Sequence, residues 1–135
     1  MSSTTMKKVL IVDDDAKNIF ALSAMLRSKG WDTVSATSMQ EAMDVLANSK
    51  SIVIVLLDMM MPDMDGYEGL GLFRNDPLLK ELPVIAVTAQ AMKGDREKCL
   101  AAGANEYVSK PINIDRLLAI MHQFINSNSG GIVAG

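Results

Sequence analysis

The stretch IVIVLL at Ile52–Leu57, followed at once by Asp58, is the strongest indication of the fold in this sequence. It is far shorter than the roughly 18 apolar residues that a membrane-spanning helix requires. Continuous Ile, Val and Leu over this length are typical of a strand that is covered on both faces, as in a parallel sheet. The sequence therefore predicts an α/β domain in which Asp58 ends a central strand.

Further apolar runs on both sides of this stretch predict the other strands of the same sheet. Two of them have the same Val, Ile, Leu and Ala character, and all are separated by longer amphipathic segments. The runs are Val9–Val12, Trp31–Ala36, Val84–Val87 and Tyr107–Val108.

The segments between the runs repeat apolar residues with the spacing of amphipathic helices. Glycines at two positions weaken the third helix, because each costs about 1 kcal/mol relative to Ala. The first predicted helix has Ile19, Leu22 and Leu26 on its inner face and Gly30 as C-terminal cap, and the second begins near Ser38 with Glu41 in a capping box and has Ala42, Val45 and Leu46 on its inner face. The third runs from about Asp65-Gly66 to Asn75 and contains Gly69 and Gly71, and the fourth runs from about Met92 to Ala102. The fifth follows the N-cap Asn113 and has Ile114, Leu117, Leu118, Met121 and Ile125 on one stripe.

Strict alternation of strand and helix predicts a (βα)5 doubly wound, five-stranded parallel sheet. Five strands favour the flavodoxin-like order 2-1-3-4-5, whose ligand site lies at the carboxyl ends of the strands near the switch between strands 1 and 3. We expect an N-terminal extension at residues 1–6, one domain at 7–126 and a flexible tail rich in Ser, Asn and Gly at 127–135.

Composition narrows the class of protein. The chain has 135 residues and a formal net charge of −3, which argues against a broad nucleic-acid-binding surface. With one cysteine, Cys99, it forms no disulfide of its own, and its first residues lack the apolar core of a signal peptide. We expect a cytoplasmic protein without a membrane partner. We interpret Cys99 as a helical thiol of the domain rather than a nucleophile, and the single histidine, His122, as an exposed residue.

Acidic residues follow two of the predicted strands. Asp13 and Asp14 come after the first strand and Asp58 ends the third, whereas Asp15 is interpreted as a helix N-cap. The fold would bring the first three into one pocket, where about three negative charges repel one another unless a cation lies among them. Mg²⁺ commonly binds one or two carboxylates together with waters and phosphate oxygens, so the pocket predicts a magnesium site.

Two more polar residues lie at the ends of the remaining strands. Thr88 follows the fourth strand and can donate its hydroxyl to a phosphoryl oxygen, while Lys110 follows the fifth and can neutralise charge there. A carboxylate such as Asp58 is a competent nucleophile that forms an aspartyl phosphate. Each residue alone has an ordinary structural interpretation, but their coincidence at one edge of the sheet predicts phosphoryl transfer.

With these residues in this order, the sequence resembles the receiver domain of two-component response regulators, the chemotaxis-Y-like family. The resemblance covers roughly residues 6–125 and keeps the order and spacing of several dispersed motifs. These are VDDD at Val12–Asp15, LLDMMMPDMDG at Leu56–Gly66, VTA at Val87–Ala89 and YVSKP at Tyr107–Pro111.

The resemblance implies a metal site and a phosphoacceptor. Asp58 would accept the phosphoryl group and also bind Mg²⁺. Asp14 would bind the ion directly, Asp13 partly through water, and the backbone carbonyl of Met60 would complete the protein ligands.

It also implies a switch. Thr88 and Lys110 would bind the phosphoryl oxygens, and Pro111 would follow Lys110 through a cis peptide. Tyr107 would turn inward when Thr88 moves toward the phosphate. The domain would catalyse only its own phosphorylation and dephosphorylation, as a regulatory domain rather than a metabolic enzyme.

Partners follow from the same resemblance. Asn18 and the segment Ala91–Ala104 are similar to receivers of hybrid kinases and phosphorelays, so the donor would be a histidine kinase or a histidine phosphotransfer protein. The output would be a contact with a downstream protein, without direct nucleic-acid binding, through the fourth helix, fifth strand and fifth helix. Candidates for that surface are Lys93, Glu97, Tyr107 and Asp115.

The sequence departs from the family pattern at positions around the site. Ile112 stands where an aromatic residue often follows Lys-Pro, and Met60 and Gln90 flank the site at positions that tune dephosphorylation. Because Met60 carries no acid, amide or base to orient water, we predict slow to intermediate autodephosphorylation.

Three other functions are weighed against this one. An aspartate-based phosphatase of the haloacid-dehalogenase type needs a carboxylate two residues after its nucleophile, where this chain has Met60. A flavin or nucleotide carrier needs a Gly-rich phosphate cradle, where this chain has the acidic residues Asp13–Asp15. A pseudo-receiver scaffold would bind partners without being phosphorylated, and an intact Asp58 disfavours it.

Overall fold

The computed structural model describes residues 7–61, 66–89 and 94–134, with the backbone alone described for residues 126–134. Strands and helices alternate along the chain from the first element to the last. The strands are β1 (Lys8–Val12), β2 (Asp32–Ala36), β3 (Ile52–Asp58), β4 (Val84–Thr88) and β5 (Glu106–Ser109), and the helices are α1 (Ala16–Ser28), α2 (Met39–Asn48), α3 (Gly66–Asn75), α4 (Asp95–Ala102) and α5 (Ile114–Ala134).

All five strands form one parallel sheet in the order β2-β1-β3-β4-β5, which confirms the predicted doubly wound α/β fold. In the register of β1 and β3, Val12 lies opposite Leu57. In the register of β3 and β4, Asp58 lies opposite Val87. The residues that follow β1, β3 and β4 therefore emerge at one edge of the sheet.

Alternate residues of the central strands feed two separate cores, one on each face. In β3, Val55 and Leu57 pack on the side of α2, α3 and α4, whereas Ile54 and Leu56 pack on the side of α1 and α5. Side chains in a strand point alternately to its two faces, so a strand covered on both sides must be apolar throughout. This is the physical reason for the unbroken run at Ile52–Leu57.

Helix caps mostly follow the sequence signals. The Asp15 carboxylate accepts from the Lys17 N–H at 2.9 Å, and the Asn113 side chain accepts from the Arg116 N–H at 3.0 Å. Gly30, at φ +90°, follows α1 in the left-handed conformation that glycine adopts without a Cβ clash. The Ser38 hydroxyl caps α2, whereas the Glu41 carboxylate reaches back to Thr37 instead of the N-cap N–H, so the capping box is only half formed.

The structure corrects two helix limits. Helix α4 begins at Asp95, because Gly94 has φ +89° and cannot lie inside a right-handed helix; Met92, where the periodicity placed the start, lies outside the described residues. Helix α5 continues to Ala134 through most of the stretch 127–135, for which composition predicted a flexible tail. Extending a helix already formed costs less than nucleating one, which explains the continuation. The domain limits at 6 and 126 stay predictions.

Within the described ranges, no helix combines the length and the hydropathy needed to cross a membrane.

Candidate functional site

The acidic residues meet at the carboxyl edge of the sheet because the strands hold them there. The Asp13 N–H donates to the Ala36 carbonyl at 3.0 Å, which extends the pairing of β1 with β2 by one residue. Asp58 is the last residue of β3, and the next N–H, that of Met59, donates to the Val87 carbonyl at 2.9 Å. Asp13 and Asp58 are buried, at 6% and 5% exposure, whereas Asp14 is exposed.

Asp13, Asp14 and Asp58 form one carboxylate cluster whose nearest oxygens all lie within 4.8 Å of one another. One oxygen of each buried member is held by a backbone donor. Asp13 Oδ1 accepts from the Asp15 N–H at 2.9 Å, and Asp58 Oδ1 accepts from the Met60 N–H at 2.9 Å. Both local bonds orient the carboxylates and leave their Oδ2 atoms directed toward Lys110.

Lys110 brings the positive charge of the site. Its Nζ lies 3.4 Å from Asp13 Oδ2 and 3.8 Å from Asp58 Oδ2. Its backbone N–H donates to the Thr88 carbonyl at 2.8 Å, so β5 carries the lysine past the end of β4, where Thr88 is buried at 5% exposure. The peptide bond to Pro111 is cis, as the resemblance implies. The structure thus brings together the residues predicted from the ends of strands 1, 3, 4 and 5.

The electrostatics of Asp58 reflect this crowding. Burial raises the pKa of Asp58 above its ordinary value, the Met60 N–H and the Lys110 charge act in the opposite direction, and the neighbouring Asp13 carboxylate raises the pKa further. Three carboxylates and one ammonium leave a formal charge of −2, which a single divalent cation would neutralise. The donor set is all oxygen, as Mg²⁺ prefers, so the residues present fit that ion.

Two cavities flank the cluster. One, of about 250 Å³, lies between α1 and the loop after β5 and is bordered by Asn18 and Ile112. The other, of about 220 Å³, lies between α3 and α4 and is bordered by Met60, Thr88 and Tyr107. Thr88 and Tyr107 therefore face one shared space, which is the juxtaposition that a coupled movement of the two would need.

Three residues that border the second cavity were not predicted from the sequence to lie near the site. Tyr67, Asp95 and Lys98 border this cavity, and Lys98 Nζ lies 5.7 Å from the centre of the Tyr67 ring. The sequence only weakly indicates that these residues lie near the site. Tyr67 comes shortly after the acidic loop, and the other two lie three residues apart in α4. Their approach depends on how α3 packs against α4.

Other predicted residues are placed as follows. Cys99 is buried at 1% exposure in α4, burial raises the pKa of its thiol, and the Tyr67 hydroxyl lies 3.9 Å from its sulfur. His122 is exposed, with its ring 5.8 Å from that of Trp31. Cys99 and the Trp31 contact belong to opposite faces of the sheet, so the thiol and the imidazole do not form a nucleophile–base pair.

The proposed readout surface is only partly described. Glu97 and Asp115 are exposed, and Tyr107 is half-buried. Lys93 and Gln90 lie outside the described residues, as do the first residues of the segment Ala91–Ala104.

Comparison with known proteins gives the same family from sequence. The response regulator receiver domain model matches residues 9–122. The polar-differentiation response regulator DivK of Brucella ovis is 34% identical over 119 residues, which cover 88% of this chain and 96% of DivK. DivK of Brucella anthropi matches to the same extent.

Solved structures agree with this assignment. A putative response regulator from Chloroflexus aurantiacus superimposes with a TM-score of 0.82 at 30% identity, covering 89% of this chain and 98% of that one. The receiver domain of a sensor histidine kinase from Pseudomonas aeruginosa, solved with magnesium coordinated in its active-site cleft, has a TM-score of 0.79 at 32% identity over 89% and 98% of the two chains. Together with the carboxylate cluster at the edge of a 2-1-3-4-5 sheet, these matches mean that the chain belongs to the response regulator receiver domain family of two-component signalling.

Proposed function

We propose that this receiver domain is a phosphoacceptor switch of a two-component phosphorelay, in which Asp58 takes a phosphoryl group from a partner phosphohistidine. The observation that carries the proposal is the buried pair of Asp13 and Asp58 with Lys110 Nζ 3.4 and 3.8 Å from their Oδ2 atoms. A nucleophilic oxygen, a cation and acidic metal ligands are thereby held at one point before any donor arrives.

Magnesium is the cofactor that this donor set fits. Asp13, Asp14 and Asp58 would hold it, with the Met60 carbonyl as a further ligand. When bound, the ion supplies positive charge that stabilises the transferring phosphoryl oxygens. The magnesium reported in the Pseudomonas aeruginosa receiver domain supports the proposal by similarity.

The transfer itself is a displacement at phosphorus. A carboxylate oxygen of Asp58 forms the new O–P bond, the P–N bond of the phosphohistidine breaks, and its electron pair stays on the imidazole, which takes up a proton. Lys110 and the Thr88 hydroxyl would bind the phosphoryl oxygens, where preorganised donors are worth most because they need no rearrangement during the reaction. Only the ionised form of Asp58 can attack phosphorus. A raised pKa of Asp58 therefore raises the pH below which phosphoryl transfer is lost.

The readout would be a shift between conformations that already exist. Thr88 and Tyr107 border one cavity of about 220 Å³, so a movement of Thr88 toward the phosphoryl group changes the space available to the Tyr107 ring. The surface of α4, β5 and α5, including the exposed Glu97 and Asp115, would then contact a downstream protein in the cytoplasm, without a direct nucleic-acid partner.

The donor would be a histidine kinase or a histidine phosphotransfer protein. Asn18 supports the phosphorelay subtype, because its spacing from the acidic cluster is similar to that in receivers of hybrid kinases and phosphorelays. It lies on α1 at the border of the cavity that Asp58 also lines. Met60 presents a thioether beside the acceptor and cannot orient an attacking water strongly, so autodephosphorylation should be slow to intermediate.

The test uses acetyl phosphate with Mg²⁺ and intact-mass measurement. We expect a mass gain of one phosphoryl group that disappears with a chelator and in the variant Asp58→Asn. Asp76→Asn, which changes an aspartate far from the cluster at the opposite edge of the sheet, is the matched control and should still gain the mass. A chain that gains nothing from this donor or from phosphoramidate, while remaining folded, would instead favour the pseudo-receiver scaffold.

A further inference from the structure

Met60 differs from the other methionines whose side chains the structure describes. It is 54% exposed, whereas Met59 and Met61 on either side are each 6% exposed. The remaining methionines within the described ranges are buried or half-buried; they are Met25, Met39, Met43 and Met121.

Met60 also lies against the phosphoacceptor. Its N–H donates to Asp58 Oδ1 at 2.9 Å, and its side chain borders the cavity shared by Thr88 and Tyr107. A change in the polarity of this side chain therefore alters the cavity that Thr88 borders, two residues along the chain from Asp58. Met59 also borders this cavity, but Met59 and Met61 are buried members of the apolar core between the sheet and α2, α3 and α4 and so are shielded from solvent.

We propose that Met60 is a redox modification site, where oxidation to the sulfoxide by a hydroperoxide shortens the lifetime of the phosphoryl group on Asp58. The sulfur lone pair attacks the terminal peroxide oxygen, the O–O bond breaks, and the departing oxygen keeps the bonding electrons and takes up the proton. The thioether is thereby oxidised to a sulfoxide, and the hydroperoxide is reduced to water or an alcohol. The inference rests on the function proposed above.

The effect follows from hydrogen bonding. A thioether sulfur is a weak acceptor, so Met60 gives an attacking water little to bind. Oxidation converts the flexible apolar side chain into a polar one. The sulfoxide oxygen on the exposed Met60 side chain can accept a hydrogen bond from a water at the entrance to the site, which places that water for attack on phosphorus. Oxidation of Met59 or Met61 would instead disrupt the core and lower stability.

The experiment treats the full chain with limiting hydrogen peroxide and maps the oxidised methionines by peptide mass. Treated and untreated chains are then phosphorylated with acetyl phosphate and Mg²⁺, the donor is removed, and the decay of the phosphorylated mass is followed. We expect the sulfoxide at Met60 to form before those at Met59 and Met61, and the decay to become several-fold faster. Methionine sulfoxide reductase should restore the original decay, which separates this effect from oxidation of Cys99.

Variants make the assignment specific. Met60→Leu should decay at one rate before and after peroxide, and Met60→Gln, whose amide oxygen stands in for the sulfoxide oxygen, should decay faster without peroxide. Met64 and Met92 lie outside the described residues, so the double variant Met64→Leu/Met92→Leu serves as the matched control and should respond to peroxide as the parent chain does.

Each result decides between the two proposals. An untreated chain that accepts no phosphoryl group on Asp58 would overturn the proposed function and this inference with it. A chain that is phosphorylated normally, but decays equally fast with Met60 oxidised or reduced, would overturn the inference alone. A peroxide response that survives in Met60→Leu would do the same.

Discussion

The two edges of the sheet differ in the sign of their partly buried charge and in the groups that surround it. At the carboxyl edge, three carboxylates crowd within 4.8 Å of one another around a single lysine. At the amino edge, the half-buried Arg74 at the end of α3 donates its hydrogen bonds to neutral oxygens of the described residues. These are the carbonyls of Gly103 at 2.8 Å, Leu82 at 2.9 Å, Lys80 at 3.0 Å and Leu79 at 3.3 Å, and the side-chain oxygen of Asn105 at 2.9 Å.

The amino edge stabilises the fold, whereas the carboxyl edge carries the reactive groups. Through these bonds Arg74 joins the end of α4, the loop before β4 and the turn before β5. Asn105 Oδ1 adds a further link, since it also accepts from the Val84 N–H at 2.8 Å. The donors of Arg74 meet helix-end and loop carbonyls that would otherwise need water. The carboxyl edge keeps an uncompensated charge of −2, which costs stability until a cation binds.

The largest expected effect comes from breaking the amino edge. Arg74→Ala should lower the free energy of unfolding by about 3 kcal/mol, because several partly buried carbonyls lose a charged donor at once. Arg74→Lys should recover only part of this, since an ammonium cannot reproduce the planar fork of donors. Urea unfolding measures both. Arg27→Ala, at an exposed arginine in the last turn of α1, is the control, and a loss for Arg74→Ala as small as that control would refute the assignment.

The next effect tests how closely the backbone packs below the carboxyl edge. A Cβ at Gly66 would lie 2.6 Å from both Cα and Sδ of Met59, so Gly66→Ala should destabilise the fold by about 2 kcal/mol. Gly71 in the same helix has nothing within 4 Å of its Cβ position, so Gly71→Ala should stabilise by roughly 0.5 kcal/mol. Thermal unfolding compares the pair. Equal behaviour of the two variants would contradict the close approach.

Magnesium should stabilise the carboxyl edge alone. At a concentration ten times its dissociation constant, a ligand that binds only the folded state adds about 1.4 kcal/mol. The rise in Tm with added Mg²⁺ should shrink in Asp13→Asn and Asp14→Asn, and it should persist in Gly71→Ala, which leaves the cluster unchanged. A magnesium response that survives loss of both carboxylates would place the ion elsewhere.

The smallest effect concerns charge at Asp58 without metal. Burial raises the pKa of Asp58 in the folded state, so ionisation costs stability: the full stability is present below the unfolded pKa and falls as pH rises through the folded pKa. Asp58→Asn should therefore gain about 1 kcal/mol at pH 7 in a chelator. The gain should vanish near pH 3.5, below the ordinary pKa of an aspartate at about 3.9. Urea unfolding at both pH values checks the sign, and a gain that is independent of pH would exclude the charge explanation.

The sheet and the grouping of the acidic residues could both be predicted from the amino-acid sequence. Ile52–Leu57 predicted a strand covered on both faces because successive side chains of a strand point to opposite faces, and an unbroken apolar run is typical of a strand whose two faces are both covered. Alternation with amphipathic segments then implied parallel strands, and parallel strands end at one edge. Asp13, Asp58, Thr88 and Lys110 could be grouped from their positions after strands alone.

Helix limits were less predictable, because they depend on local backbone conformation and on propagation. The sequence pattern around Gly94 predicts helix, but the positive φ of Gly94 places the start of α4 after it. The composition of the Ser- and Gly-containing stretch after Ile125 predicts a flexible tail, but α5 continues through most of it.

Packing between elements, by contrast, sets the partners of Arg74, the cavity that joins Thr88 to Tyr107, and the exposure of Met60 between two buried methionines. Periodicity places a side chain on a face of its own element. Which carbonyls converge on a guanidinium, and which of three adjacent thioethers meets solvent, depend on how separate elements pack against one another, and no local pattern in this chain encodes that.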